Sequence, residues 1–355
     1  MNVSHGRCHN PWFWNTTWGE EYSKMATTAI TATKENLLGN ASTNMPMWSQ
    51  QLRLKFRSSV SHTFIITGNV RDVVDNRLTL NTYLASMFLQ RVNGKRNFDL
   101  VIYYDRSNGL RFPTPAMEEL FISESGLSSA PTSQATAGVF APGAGSNKVP
   151  IPKDPATAFK LIEKVLRSDR RAENDPEHKL HTIVVIDYAE SLFPAGNWGM
   201  LQDPDRDRIV TLLSWAKDPE LGQMANGIFL IADAATNLHD SLTANSSRIE
   251  QLEILLPTPE ERLSFIEHLE ENSVKDGNGK LTFEDGYNAK KFANQTAGLR
   301  KVSLEDIRMT AHHTTKIIGP ELVKNRKKEI ITPEYQSVIE MIDPVHGFES
   351  VGGML

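Results

Sequence analysis

The sequence has few of the features that mark secreted, membrane-spanning or nucleic-acid-coating proteins. Its 355 residues contain one cysteine, Cys8, so a disulfide framework is excluded and a reducing compartment is expected. No run of eighteen apolar residues occurs, and no apolar stretch follows the first charged residues, so we expect neither a membrane span nor a secretory signal. The net charge of −5 gives no overall attraction to nucleic acid or to anionic lipid. We therefore predict a cytoplasmic protein without a membrane partner.

The most informative stretch that is present is HTIVVIDYAESLFP, at residues 181–194. Its β-branched run at 183–186 ends at Asp187, and a second acid, Glu190, follows. Such a run fits a strand buried on both faces of a parallel sheet, and carboxylates at its C-terminal end lie where open α/β sheets bind ligands. Two interpretations remain open at this point, a ligand-binding acid and a simple cap of the strand end.

Strands and helices alternate along most of the chain. The predicted strands lie at 62–68, 98–104, 183–186, 227–232 and 249–256, and helices are predicted between them at 80–92, 156–167 and 208–217. This alternation predicts a doubly wound, parallel, five-stranded α/β sheet. After Pro257 the pattern becomes helical, at 259–272, 283–297 and 302–318, with Ser303 as the predicted N-cap of the last helix.

These patterns divide the chain into four parts. We predict a flexible N-terminal arm at 1–50, an α/β domain at 51–257, a small helical lid domain at 258–318, and, at 319–355, a charged linker with the start of a second module. Residues 124–153 are rich in Ser, Ala, Gly and Pro and are predicted to form a long mobile loop.

The order of these motifs resembles that of the AAA+ ATPases. The resemblance rests on the strand-D-x-x-E pattern at 183–190, GIFLIADAATNLHDSL at 227–242 and SSRIEQLEILLPTPEERLSFI at 246–266, and it extends over about 51–318. It implies the strand order 5-1-4-3-2, with the ends of strands 3 and 4 at one edge of the sheet.

The resemblance also implies roles for individual residues. Asp187 and Glu190 correspond to the acids that hold Mg²⁺ and activate water, and Asn237 corresponds to the sensor-1 residue. Arg248 corresponds to the arginine that faces the neighbouring subunit's nucleotide, with a local ion pair to Glu250 as the alternative, and Arg300 corresponds to the sensor-2 arginine. The expected cofactors are ATP and Mg²⁺, with Asp187 as the metal ligand.

The phosphate-binding loop is where the chain departs from this family. The family pattern is G-x-x-x-x-G-K-[ST], whereas residues 68–75 are GNVRDVVD, with no second glycine, lysine or hydroxyl side chain. Gly68 and Asn69 remain the expected cofactor-binding residues, while Asp72 and Asp75 would oppose a phosphate electrostatically. In addition, Tyr188 stands where the family places the acid that follows the strand aspartate. We therefore expect weak nucleotide binding or none.

Three hypotheses for the function follow from the resemblance. The first is a degenerate AAA+ module that acts as the scaffold or substrate-engaging ring of an ATP-dependent remodelling or assembly machine. The second is an active ATPase with an unusual phosphate loop, in which Asp187, Glu190, Asn237 and Arg300 support hydrolysis. The third is a nucleic-acid motor or loader, which is disfavoured because the basic clusters are short and lack interleaved aromatic residues.

The expected partners are a second AAA+ module and further copies of the chain. The segment HGFESVGGML at 346–355 resembles the lead-in to a second AAA+ module, so we expect a tandem protein. The family resemblance implies a homo-oligomeric ring, a hexamer, and a protein substrate; nucleic acid is not an expected partner. In such rings the 124–153 loop would either reach the central pore or remain a surface loop.

Overall fold

The computed structural model describes residues 45–335, apart from 59, 76–77, 90, 93–94, 97, 128–149, 170, 173–174, 225, 276–281 and 315–316. The predictions for residues 1–44, for the middle of the 124–153 loop and for the 346–355 segment therefore fall outside the described residues. The first described helix, α1, spans Met47–Arg57 and so begins inside the range predicted as an arm.

The strands of the protein form one large sheet and two small hairpins. They are β1 Thr63–Gly68, β2 Arg91–Val92, β3 Lys95–Arg96, β4 Leu100–Asp105, β5 Gly109–Arg111, β6 Arg171–Ala172, β7 Asp175–Lys179, β8 Thr182–Ile186, β9 Gly227–Ile231 and β10 Glu250–Ile254. The large sheet has the order β10-β1-β9-β8-β4-β5, and the β1–β9, β9–β8 and β8–β4 pairs are parallel. The predicted order 5-1-4-3-2 is confirmed, because β10, β1, β9, β8 and β4 are those strands.

The sheet has six strands rather than the predicted five, because β5 pairs antiparallel with β4. The Asp105 carboxylate builds the turn between them by accepting the backbone N–H groups of Ser107 and Asn108, at 3.0 and 2.8 Å. It also pairs with Arg111 at 2.7 Å. Burial opposes ionisation of this carboxyl, but the hydrogen bonds from Asn108 and the charge of Arg111 outweigh burial and lower its pKa. With only three residues, β5 is too short to show a periodic pattern.

The helices agree with the predicted alternation but differ in their ends. They are α1, α2 Leu80–Leu89, α3 Pro115–Ser125, α4 Pro155–Leu166, α5 Asp203–Lys217, α6 Pro219–Gln223, α7 Asp240–Thr243, α8 Pro259–Lys275, α9 Ala289–Gln295, α10 Lys301–His313 and α11 Pro320–Tyr335. The predicted helix 80–92 ends earlier, at Leu89, because a β-hairpin follows it. The predicted helix 283–297 is helical only in α9, and α3 was not predicted.

Two compact units are formed by the described residues. The α/β unit contains the chain up to Thr67 and Leu84–Leu252, and the helical unit contains Gly68–Tyr83 and the chain from Glu253 onward. A cluster of fully buried aromatic side chains lies in the α/β unit, formed by Phe56, Phe64, Phe88, Phe98 and Phe229.

The helical unit has its own apolar core. Phe265, Ile266, Phe292 and Leu304 are at its centre, and Val73 from the segment after β1 packs against them. That segment therefore belongs to the helical unit although β1 belongs to the sheet. Among the residues that the structure describes, no helix is both long and apolar enough to cross a membrane.

Candidate functional site

Asp187 lies directly after β8, at the C-terminal end of a strand whose five residues are all buried. Its backbone N–H donates to the carbonyl of Tyr104 at 2.9 Å, which continues the pairing of β8 with β4. The carboxylate accepts the N–H of Tyr188 at 2.8 Å. Tyr188 has a left-handed backbone, with φ 51°, and half of its side chain is exposed. The aspartate is thus fixed at the sheet edge while the residue after it turns outward.

Glu190 lies three residues further, in the 3₁₀ turn Ala189–Ser191. Two arginines hold this turn and the residue after it: Arg106 donates to the Ser191 carbonyl at 3.2 Å, and Arg208 donates to the Leu192 carbonyl at 3.1 Å. Arg208 is buried, and this burial lowers the pKa of its guanidinium. Neither arginine carries a recognisable sequence signal, because their partners are backbone carbonyls 85 and 16 residues away.

Asn237 lies on the 3₁₀ turn Ala235–Asn237, six residues beyond Ile231, the last residue of β9. Because β8 and β9 are parallel neighbours, with Ile186 opposite Leu230, Asp187 and Asn237 both follow C-terminal ends of adjacent strands. The Asn237 side chain is exposed, and its carbonyl accepts the N–H of Ala195 at 3.0 Å. Asp233 stands closer to the strand end than Asn237 does and is a second candidate for a polar group at this edge.

Arg248 lies just before β10 in a left-handed conformation, with φ 60°, and its side chain is exposed. Its carbonyl accepts the hydroxyl of Ser61 at 2.8 Å, which fixes the backbone. The alternative ion pair with Glu250 is not formed, because Glu250 pairs with Lys55 at 2.5 Å. Within the described part of the chain the Arg248 guanidinium has no ion-pair partner.

Gly68 and Asn69 belong to the helical unit and are held against Ile254, the last residue of β10. Gly68 has φ 88°, and a Cβ atom there would lie 2.5 Å from the Ile254 carbonyl oxygen, so the position requires glycine. The N–H of Asn69 donates to the same carbonyl at 2.7 Å. This contact accounts for the glycine without a bound ligand.

The Asp72 carboxylate is the most heavily hydrogen-bonded group of the loop after β1. It is 5% exposed and accepts Asn69 Nδ2 at 2.8 Å and the N–H of Val73 at 2.9 Å. It also accepts the N–H groups of Lys301 and Val302, at 2.9 and 3.0 Å, in the first turn of α10. The predicted N-cap, Ser303, is therefore wrong. The helix begins at Lys301, and its first N–H groups are satisfied by a side chain 229 residues away.

Arg300 occupies the N-cap position of α10, where its side chain forms no capping hydrogen bond and is exposed. Arg262 is the buried arginine of the helical unit. Its Nε donates to the Ala293 carbonyl at 2.8 Å, and its Nη1 donates to the Pro257 carbonyl. Burial lowers the pKa of this guanidinium. Arg262 thus links the start of α8 to the last turn of α9.

The described residues contain no group of three or more His, Cys, Asp or Glu side chains that could hold a metal ion. A Mg²⁺ ion at Asp187 would therefore need ligands from nucleotide and water, as Mg²⁺ at nucleotide sites ordinarily has. His312 and His313 are in contact with each other, at the end of α10.

Comparison with known families agrees with this architecture. The profile of the AAA+ chaperone N-terminal Rossmann-like domain matches residues 35–255, and that of the AAA+ chaperone second helical domain matches residues 260–336. No curated protein matches the chain. The first profile alone covers more than half of the 355 residues. With its largely parallel sheet followed by a helical unit, the chain belongs to the AAA+ chaperone family and has that family's nucleotide-binding P-loop fold.

Proposed function

We propose that this chain is a degenerate AAA+ chaperone module, which serves as the scaffold or substrate-engaging ring of an ATP-dependent remodelling or assembly machine. In this role the module keeps the shape of the family but does not hydrolyse ATP itself. The observation that carries the proposal is the buried carboxylate of Asp72, in the loop where the family binds phosphate.

The chemistry of that loop supports weak nucleotide binding or none. Residues 68–75 offer no lysine to contact the β- and γ-phosphates and no Ser or Thr hydroxyl for Mg²⁺. Phosphoryl transfer depends on such positioning and on cationic stabilisation of the equatorial oxygens. The Asp72 carboxylate instead adds a negative charge, and it already accepts two N–H groups of α10. The residues of this loop therefore do not fit a triphosphate.

The residues at the C-terminal edge of the sheet also differ from the family pattern. Tyr188 follows Asp187 where the family has an acid, and its backbone turns the side chain toward solvent. Glu190 lies in the 3₁₀ turn that begins directly after Tyr188. A carboxylate must be within hydrogen-bond reach of a water molecule to act as a base, so the shift from 188 to 190 weakens the case for hydrolysis.

The opposite hypothesis, an active ATPase, also has an observation in its favour. Asp187 and Glu190 are both at the C-terminal edge of the sheet, and Arg106 and Arg208 fix the turn that carries Glu190. Rigid positioning of acids is what catalysis requires. In this hypothesis Asp187 would hold Mg²⁺, and Asn237 and Arg300 would support hydrolysis in the roles that the family resemblance implies.

The proposed partners are further copies of the module in a hexameric ring, a second AAA+ module in the same protein, and a protein substrate. The exposed guanidinium of Arg248 supports the ring, because an arginine that has no ion-pair partner among the described residues is available to acids of a neighbour. In this proposal the second module supplies the ATP turnover that drives the machine.

A steady-state assay of the 355-residue chain with ATP and Mg²⁺ tests the proposal. We expect turnover at the background rate, and the same rate for Asp187→Asn. Circular dichroism of both proteins is the control for folding. ATP turnover that Asp187→Asn abolishes would overturn the scaffold proposal and support the active ATPase.

A further inference from the structure

Three separate contacts hold the loop after β1 within the helical unit. The N–H of Asn69 donates to the Ile254 carbonyl, Val73 packs against the apolar core of the helices, and Asp72 reaches the first turn of α10. A loop that only connects two elements does not require a buried carboxylate such as that of Asp72. The hydrogen bonds of this carboxylate therefore indicate the structural role of the loop.

The first turn of α10 requires an acceptor from elsewhere in the chain. The first N–H groups of any helix lack intrahelical partners and carry the positive end of the helix dipole, so an anion there is stabilising. The N-cap residue, Arg300, offers no acceptor side chain. Asp72 supplies one oxygen to each donor, Oδ2 to Lys301 N–H and Oδ1 to Val302 N–H.

Asn69 orients this carboxylate. Its Nδ2 donates to Asp72 Oδ2, and its own N–H is held by Ile254. The N–H of Val73 donates to Oδ1, so each carboxylate oxygen accepts one hydrogen bond from the loop and one from the helix. Such a group is already satisfied, since an ionised carboxylate has about four acceptor sites in all.

We propose that the Asp72 carboxylate takes the place of an external anion at the N-terminal turn of α10. By binding the first N–H groups of this helix, it holds loop 68–75 and α10 together. The helical unit then keeps this turn ordered without a bound phosphate. Asn69 is a positioning residue for Asp72 in this arrangement. The inference concerns the helical unit alone and holds whether or not the chain hydrolyses ATP.

Amide hydrogen exchange of the full 355-residue chain tests the proposal. In Asp72→Ala we expect exchange at Lys301 and Val302 to rise about tenfold, because both lose their acceptor. Asp72→Asn should give a smaller rise, since its amide oxygen can still accept one of the two N–H groups. The matched control is Asp75→Asn. Asp75 is exposed on the same loop with φ 49°, a conformation that asparagine tolerates, and its substitution should change neither amide.

Chemical rescue separates loss of the anion from general damage. Formate carries the same carboxylate group as the side chain that is removed, so sodium formate should restore protection at both amides in Asp72→Ala, whereas sodium chloride at equal ionic strength should not. The amides of Phe265 and Ile266 in α8 report unfolding of the whole helical unit. If they also exchange faster in Asp72→Ala, the test rests on Asp72→Asn, in which the Lys301 and Val302 amides should exchange faster than they do in Asp75→Asn. Unchanged exchange in both Asp72 variants, an equal rise in Asp75→Asn, or equal rescue by chloride would overturn the proposal.

Discussion

In the α/β unit the largest buried side chains are aromatic and pack on one another, whereas in the helical unit three charged side chains hydrogen-bond to the ends of α-helices that lie at least 31 residues away in the sequence. Asp72 accepts N–H groups at the start of α10, and Arg262 and Lys327 donate to the carbonyls of Ala293 and Gln295 in the last turn of α9. Burial lowers the pKa of the Lys327 amine and of the Arg262 guanidinium. Each of these three charged side chains therefore has a structural role, and its charge alone does not indicate a bound ligand.

Two aspartates make the same contrast within the nucleotide-binding fold. Asp187 follows a strand of the sheet and is fixed through its backbone to β4. Asp72 follows β1, and the helical unit holds it through its carboxylate. The comparison teaches that the two aspartates are held in different ways: the backbone pairing of the sheet fixes Asp187, whereas four hydrogen bonds to its carboxylate fix Asp72.

The largest expected effect lies in the aromatic cluster. Phe229 is fully buried, and its ring centroid lies 5.5 Å from that of Phe64 and 5.1 Å from that of Phe88. Phe229→Ala should lower the free energy of unfolding by about 3–5 kcal/mol, because it removes buried area and leaves a cavity. Phe229→Leu should cost only about 1–2 kcal/mol. Urea unfolding followed by circular dichroism measures both. Similar small losses for the two variants would show that aromatic packing does not dominate this unit.

Arg262 gives the corresponding test in the helical unit. Arg262→Met fills a similar volume but leaves the carbonyls of Pro257 and Ala293 without their donor, so we expect a loss of about 2–3 kcal/mol. Arg262→Lys keeps the charge without the forked geometry and should lose less. Urea unfolding monitored by hydrogen exchange in α8 and α9 measures the effect on this unit. A neutral Arg262→Met would mean that the cost of burying the charge cancels its hydrogen bonds, and the contrast between the units would fail.

The sequence predicts the parallel part of the sheet well because buried strands carry a local signal. The β-branched run before Asp187 and the apolar run at 227–232 both form fully buried strands, and these lie in the predicted order. Strand β5 could not be predicted in this way. It depends on the turn that the Asp105 carboxylate organises, and three residues are too few for a periodic pattern.

The start of α10 shows why the candidate site is harder to predict. Ser303 has the residue type of an N-cap, but the acceptor in use is Asp72, and no local pattern joins residues 229 positions apart. The identity of Asp72 does indicate that the loop disfavours phosphate, although its partner does not follow from the sequence. The roles of Asp187, Glu190, Asn237, Arg248 and Arg300 stay predictions, since they depend on a nucleotide and on a neighbouring subunit.

The smallest expected effect on folding is at Arg248, and it tests whether the α/β unit has a charged residue reserved for a partner. Its guanidinium is exposed and has no ion-pair partner in the described residues, so Arg248→Ala should change the free energy of unfolding by less than about 0.5 kcal/mol. If the residue contacts acids of a neighbouring module in the proposed ring, the same substitution should shift the proposed tandem protein from hexamer toward smaller species in sedimentation velocity. Lys217→Ala, which removes a positive charge from an exposed residue at the end of α5, is the matched control and should leave the hexamer intact. An unchanged hexamer in Arg248→Ala would remove the interface role, because the charge would then serve neither the fold of this module nor the ring.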